Sequence, residues 1–136
     1  MKKILCATDG TDHSIHAIEL AAGLAAKFGA SLTICAVNVV RGGIRGPIIY
    51  DWEDDEVKKI LDGATAHAKK AGTSRVEEIT LSGRDASAVI VQYAEANGFV
   101  HIVVGTGDKH GISRLVLGSV AAGISAGAHC SVTIAR

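Results

Sequence analysis

Glycines cluster between positions 105 and 119 of this 136-residue chain, in a pattern that could bind an anion. Gly105, Gly107 and Gly111 follow an apolar run, and Gly118-Ser119 open the next one. Glycine lets backbone N–H groups approach a phosphate closely, and a helix start adds unpaired donors and a partial positive charge. The pattern therefore predicts an anion site. A tight strand-to-helix connection that binds nothing is the alternative that stays open.

Asp108 lies inside this glycine stretch and bears directly on the anion prediction. A carboxylate about 4 Å from a phosphate opposes binding by on the order of 4 kcal/mol at an effective dielectric of about 20. Lys109 and Arg114 would offset that charge, and His110 could touch a phosphate. Asp108 therefore either points to solvent beside the flexible Gly107, holds a cation that bridges to the phosphates, or closes the site.

Asp9 follows the first apolar run, in the segment CATDG. Its carboxylate could hold a ribose hydroxyl or a magnesium ion, or it could form an Asx turn or cap the helix that starts near Asp12. His13 and His16 have the spacing of a shared metal site, but without an evident third ligand they are expected to be surface residues. The sequence carries no P-loop motif and no assignable Ser/His/Asp arrangement, so no dedicated catalyst is predicted and slow nucleotide hydrolysis is the most catalysis that we expect.

Two periodicities alternate along the chain and predict the elements that position these residues. Five strands and four helices in strict alternation predict one α/β domain over residues 1–136, with an open, Rossmann-like parallel sheet and helices on both faces. The strand patterns cover residues 3–8, 31–39, 75–81, 100–105 and 130–135, and the helical patterns cover residues 12–29, 52–72, 85–98 and 118–129.

The composition of the strands predicts their order in the sheet. The first and fourth strands are almost continuously apolar, as central strands are, whereas the third and fifth contain polar residues typical of edges. The order 3-2-1-4-5 satisfies this and keeps the crossovers right-handed, so Asp9 and the glycine stretch meet at the crevice where the order reverses. The residues expected to end or cap helices are Gly29, Gly72, Gly98, Asp85 and Ser119.

The composition also excludes several classes of partner. The net charge is zero at pH 7, and no basic run indicates nucleic acid or an anionic membrane. No apolar stretch has the length of a signal peptide core or a membrane span, which predicts a cytoplasmic protein. Cys6, Cys35 and Cys130 lie in strand-like runs, where cysteine acts as a small hydrophobe. Residues 40–51 are expected to form a flexible loop that spans to the next helix, packs on a partner or closes over a ligand.

Three segments resemble the universal stress protein (UspA) family: ILCATDGTDHSIHAIELAAGLA near the N-terminus, LTICAVNV in the second strand, and GISRLVLGSVAAGISAGAHCSVTIAR at the end. The resemblance covers the whole chain, and its last segment is the most specific. It implies an α/β sheet in the order given above and a homodimer formed through the last strand. For one subgroup it also implies ATP binding, through glycine, two residues, glycine, nine residues, and then glycine with serine or threonine.

When the family's pattern is carried onto this sequence, it is interrupted at one position. Gly105 matches the first glycine and Gly118-Ser119 match the last pair, but the middle position is Asp108, and Gly107 lies one place early. The resemblance further implies that the Val37 backbone contacts adenine, and Asp9 is our candidate metal ligand. The predicted site consists of Ala7, Thr8, Asp9, Val37, Gly105, Gly107, Asp108, Lys109, Gly118, Ser119 and Val120.

Two functions stay open at this point. The first is a cytosolic, homodimeric sensor or regulator that binds ATP or AMP, with magnesium as a further ligand, and changes its partner with occupancy. The second is an interaction protein of the same fold, whose crevice is blocked by Asp108 and which acts through protein contacts alone.

Overall fold

The computed structural model describes residues 1–107 and 117–136. The strands are β1 (Lys3–Ala7), β2 (Ser31–Gly42), β3 (Ile48–Tyr50), β4 (Val76–Gly83), β5 (His101–Gly105) and β6 (Ser131–Ala135). The helices are α1 (His13–Phe28), α2 (Asp54–Lys70), α3 (Ala86–Ala96) and α4 (Ser119–Gly127). All predicted elements are present, and the predictions for Asp108, Lys109, His110, Gly111 and Arg114 fall outside the described residues.

Parallel strands form the central sheet in the order β4-β2-β1-β5-β6. For the five strands predicted from the sequence this is the order 3-2-1-4-5, so the fold class and the arrangement of the parallel strands are confirmed. The chain leaves β1 for α1 on one face of the sheet and leaves β5 for α4 on the other. The ends of β1 and β5 therefore form a crevice between the two connections.

The prediction of a loop over residues 40–51 is wrong in part, because this segment forms a hairpin. β2 continues to Gly42, and β3 pairs antiparallel with its last residues, which adds a sixth strand to the predicted five. Asn38 fixes the return of the hairpin. Its Nδ2 donates to Trp52 O and its Oδ1 accepts from Trp52 N–H, both at 2.9 Å. Glycines and a proline in the segment indicated a loop, whereas the partner of Asn38 in this long-range clamp cannot be identified from the local sequence.

Hydrophobic clusters cover both faces of the sheet. Ile4 and Cys6 of β1 lie on the face packed by α1 and α2, and Leu5 and Ala7 lie on the face packed by α3 and α4. A strand that is buried on both faces must be apolar at successive positions, which is the pattern that identified β1 as central.

The helix ends follow the predicted residues with one exception. The three glycines expected after helices all have left-handed backbone conformations, and Asp85 caps α3 by accepting from Ala88 N–H at 3.3 Å. The prediction for Ser119 is wrong. Gly118 is the N-cap of α4 and Ser119 is its first helical residue, so no side chain caps this helix start. In the described ranges, no helix combines the length and hydropathy that a membrane span requires.

Candidate functional site

A cavity of about 420 Å³ opens at the carboxyl ends of β1, β2 and β5. Small-molecule sites in proteins commonly have volumes of about 300–1,000 Å³. The cavity lies mainly on the face of the sheet that α3 and α4 cover. It occupies the switch point at which open α/β sheets bind their ligands.

The fold brings the predicted site residues together around this cavity. Those that the structure describes and that line it are Ala7, Thr8, Asp9, Val37, Gly105, Gly107, Gly118, Ser119 and Val120. They come from the end of β1, from β2, from the β5–α4 connection and from the start of α4. Asp108 and Lys109 complete the predicted set and lie outside the described residues.

The wall formed by β2 contains a break in its hydrogen-bond ladder. Odd-numbered residues of β2 point their N–H and C=O groups toward β1, as the 2.9 Å bond from Thr8 N–H to Cys35 O indicates. β1 ends there, and the next bond on this side of β2 runs from Asp51 N–H to Val39 O at 3.0 Å. Val37 lies between the two bonds. Its N–H and C=O therefore face the cavity, with no strand of the described ranges beside them.

This gap places the N–H and the C=O of Val37 side by side on an apolar wall. The four residue steps from Cys35 to Val39 span about 13 Å. The side chains of Val37, Val39, Ile90 and Val104 form the surrounding surface. A flat heterocycle that carries an acceptor next to a donor can pair with Val37 and lie against these side chains.

The opposite wall of the cavity is the start of α4. The first intrahelical bond runs from Ala122 N–H to Gly118 O at 2.9 Å, so the N–H groups of Ser119, Val120 and Ala121 have no helical partner. These three residues line the cavity, and the first turn contains no acidic residue. Free amides and the partial positive charge of the helix favour an anion at this wall.

The glycines of the β5–α4 connection also have structural reasons of their own. A Cβ on Gly105 would lie 3.3 Å from His13 O, and a Cβ on Gly118 would lie 2.6 Å from Thr106 O. Gly107 has a φ of 94°, and Gly118 N–H donates to Thr106 O at 3.0 Å. The tight connection and the anion site are therefore compatible, because the glycines that close this turn are the residues whose backbone lines the cavity.

Asp9 forms an Asx turn, which is one of the alternative roles that the sequence analysis gave for this residue. Its Oδ1 accepts from the Thr11 N–H at 3.0 Å and from the Thr11 hydroxyl at 2.6 Å. Its Oδ2 remains available to a ligand at the cavity wall. Across the ranges 1–107 and 117–136, no group of three His, Cys, Asp or Glu side chains could hold a metal ion. A cation at Asp9 would therefore need ligands other than the His, Cys, Asp and Glu side chains of the described ranges.

A buried pair of hydroxyls joins the end of β1 to α1. Thr8 Oγ1 and Ser14 Oγ lie 2.8 Å apart, and Ser14 Oγ donates to Thr11 O at 2.7 Å. Since this bond uses the only Ser14 hydroxyl proton, Thr8 donates to Ser14, while Thr8 Oγ1 accepts from Gly10 N–H at 3.2 Å. The turn that carries Asp9 is thus fixed by side chains at both of its ends.

Several residues of the cavity wall lie outside the predicted site, and one of them, His13, was expected only as a surface residue. Asp51 and Trp52 reach the cavity because the hairpin returns beside β2. The available signal was Asn38, since a polar side chain inside an apolar strand needs buried hydrogen-bond partners. The remaining wall residues outside the prediction are Thr11, His13, Ser14, Val39, Ala86, Ile90, Val104, Thr106 and Ala121.

Comparisons with known proteins match the whole chain. The profile of the universal stress protein family covers residues 1–136. A universal stress protein of Methanocaldococcus jannaschii is 32% identical over 99% of this chain and 82% of its own length, and YxiE of Bacillus subtilis is 33% identical over 98% of each. Among solved structures, a universal stress protein in complex with cAMP is 26% identical, with a TM-score of 0.79 over 99% of this chain and 96% of that one. The universal stress protein from Archaeoglobus fulgidus in complex with dAMP is 26% identical, with a TM-score of 0.77 over 100% and 98%.

Proposed function

The chain belongs to the universal stress protein family, and on that premise we propose that it is a sensor or regulator that binds an adenine nucleotide, ATP or AMP, in the cavity between β1 and β5. The observation that carries the proposal is the open donor–acceptor pair of Val37, which faces the uncapped start of α4 across the cavity. The related structures that hold cAMP and dAMP add support, since both ligands are adenine nucleotides.

The chemistry and dimensions of the cavity fit a nucleotide. Adenine presents the N1 acceptor next to the N6 donor, which complements the N–H and C=O of Val37. β1 separates β2 from β5, so these two strands are about 10 Å apart at ordinary strand spacing, and the start of α4 follows β5. The base of a nucleoside monophosphate can therefore lie at Val37 while its phosphate accepts from the amides of Ser119 and Val120.

The ribose of such a ligand lies over the end of β1, between the two walls. The free Oδ2 of Asp9 can accept a ribose hydroxyl. With ATP, the same oxygen can share a magnesium ion with the phosphates, because Mg²⁺ is commonly held by one or two carboxylates together with substrate phosphates and water. Lys109 adds positive charge to this part of the sequence.

The rest of the proposal concerns the location, the assembly and the partners of the protein, and it rests on membership of the same family. The protein acts in the cytoplasm as a homodimer formed through β6, and nucleotide occupancy changes which partner it binds. Its site is built for binding, so any ATP hydrolysis is slow. The other function, an interaction protein with a crevice closed by Asp108, differs in one measurable respect, because it leaves the cavity empty of nucleotide.

Nucleotide content and affinity test the proposal. Heat should release an adenine nucleotide from freshly purified protein, and titration with AMP and Mg-ATP should raise the midpoint of thermal unfolding. The Ser119→Asp variant places a carboxylate in the first turn of α4, where it stabilises the helix but repels a phosphate. We expect the unliganded variant to be at least as stable as the wild type and to bind AMP about tenfold or more weakly.

Ser125→Asp is the matched control, since it adds the same charge to an exposed position in the last turn of α4. This variant should keep its affinity for AMP. No released nucleotide and no thermal shift at millimolar AMP or ATP would refute the proposal. If Asp108→Gly then created binding that the wild type lacks, the blocked-crevice function would be supported instead.

A further inference from the structure

Asp51 lies at one end of the gap at Val37. The bond from Asp51 N–H to Val39 O makes these two residues direct neighbours across the strand pair, so their side chains lie on the same face of the sheet. Val39 packs against the cluster beneath α3 and α4, and both residues line the cavity. The Asp51 carboxylate is therefore on the face of the sheet where the nucleotide would lie.

Arg41 holds this carboxylate in place. Its Nε donates to Asp51 Oδ1 at 2.8 Å and its Nη2 donates to Oδ2 at 3.3 Å. The hydrogen bonds from Arg41 hold the pKa of Asp51 below its usual value. The Asp51 side chain is consequently an anion at neutral pH, which accepts hydrogen bonds and cannot donate them.

The direction of β2 determines which part of a base lies near Asp51. Within Val37 the N–H precedes the C=O along the strand, so the N–H is on the Thr8 side of the gap and the C=O is on the Asp51 side. An adenine that accepts at N1 from the Val37 N–H donates one N6 hydrogen to the Val37 C=O. Its second N6 hydrogen is then directed toward Asp51.

We propose that Asp51 accepts this second N6 hydrogen and makes the cavity selective for 6-aminopurines over 6-oxopurines. The inference rests on the proposed nucleotide-binding function and identifies the Asp51 carboxylate as the group that recognises position 6 of the base. A 6-oxopurine would present a carbonyl oxygen to the Val37 C=O and to the Asp51 carboxylate. Both are acceptors, so neither can pair with that oxygen, and a site left with unpaired polar groups rejects its ligand strongly.

The Asp51→Asn variant tests this inference with three ligands: AMP, IMP and purine riboside 5′-monophosphate, which carries hydrogen at position 6. The wild type should bind AMP at least about tenfold more tightly than either analogue, because a hydrogen bond to a charged group is lost with both. In the variant, the ratio of AMP to purine riboside affinity should fall about tenfold. IMP should gain relative to AMP, because the Asn amide can donate to the 6-oxo group.

The ratio of affinities separates base recognition from general damage, since a folding defect weakens all three ligands alike. Asp55→Asn is the matched control, because it makes the same chemical change at an exposed residue of α2 outside the cavity. This control should keep the wild-type ratios. Unchanged ratios in Asp51→Asn, with AMP still bound by the wild type, would overturn the role of Asp51 and leave the proposed function standing. A wild type that binds none of the three ligands would overturn both.

Discussion

At the scale of single residues, the glycines of the β5–α4 connection are required by the fold and also line the candidate site. Gly118 allows the close approach to Thr106 that joins the two ends of the β5–α4 connection, and Gly107 supplies the left-handed turn. The same backbone atoms border the cavity. A structural requirement and a binding requirement therefore fall on the same residues, which is why the sequence pattern by itself left both interpretations open.

The thiols give a residue-scale prediction about reactivity. Cys6 and Cys35 have no exposed surface, and burial raises the pKa of both, that of Cys35 to about 12. Because the thiolate is the reactive form, a thiol reagent at pH 8 should modify only the half-buried Cys130 in the folded protein and all three cysteines in denaturant. Rapid modification of more than one thiol in the folded state would contradict the buried positions of Cys6 and Cys35.

The same raised pKa values predict the response of stability to alkaline pH. Below the ordinary thiol pKa of 9.0, Cys35 is protonated in both the folded and the unfolded chain. Above it, only the unfolded chain loses the proton until pH reaches about 12, so the free energy of unfolding should fall with rising pH across this range, by up to about 1.4 kcal/mol per pH unit for each such thiol. Urea unfolding at pH 8 and pH 10 measures the slope, and stability that stays level would contradict the shift.

At the scale of the elements, periodicity was sufficient to predict the helices, the parallel strands and their order, because burial on one or both faces dictates the residue pattern locally. It could not predict β3, whose place beside β2 depends on the bonds between Asn38 and Trp52. The position of Asp51 at the cavity follows from that hairpin. The candidate site was therefore accessible from the sequence where its residues follow a strand end, as Asp9 and the glycines do, whereas Val37 was implied only by the family resemblance. A residue that a long-range contact carries to the cavity, such as Asp51, was not accessible in either way.

The β5–α4 connection gives an element-scale prediction. In Gly118→Ala the new Cβ would lie 2.6 Å from the Thr106 carbonyl oxygen, so the backbone must shift, at a cost of about 1–3 kcal/mol in the free energy of unfolding. Gly63→Ala is the contrast, because Gly63 lies inside α2 with no atom within 4 Å of the added Cβ, and it should gain about 0.5–1 kcal/mol. Urea denaturation of both variants measures these changes. A change of the same sign in the free energy of unfolding of both variants would contradict the close approach of Gly118 to Thr106.

At the scale of the whole molecule, the sheet order explains why the cavity exists. β1 and β5 are neighbours, yet their connecting helices α1 and α4 lie on opposite faces, so the carboxyl ends of the two strands are not covered. The same order leaves β4 and β6 at the edges of the parallel sheet. The molecule thus has a cavity near the centre of its sheet and, within the described residues, a last strand with one open edge.

The edge at β6 gives the prediction of the homodimer. The even-numbered residues of β1 point their N–H and C=O groups to β2, as the bond from Thr8 N–H to Cys35 O indicates, so the register of β1 with β5 directs the odd-numbered residues of β5 to β1. The even-numbered residues of β5 then bond to β6, and in that parallel ladder Val132 points its N–H and C=O away from β5. An apolar strand with such a free edge is a template for a second copy of itself. At micromolar concentration the wild type should therefore have the mass of a dimer.

Val132→Pro should shift that mass to the monomer, because proline removes an N–H on the outer edge while it leaves the bonds to β5 intact. Val132→Ala is the control. It loses packing of the Val132 side chain against the cluster beneath α3 and α4, but it keeps the N–H and should remain a dimer. Light scattering coupled to size exclusion measures all three masses. A wild type that is monomeric, or a proline variant that stays dimeric, would contradict pairing through β6.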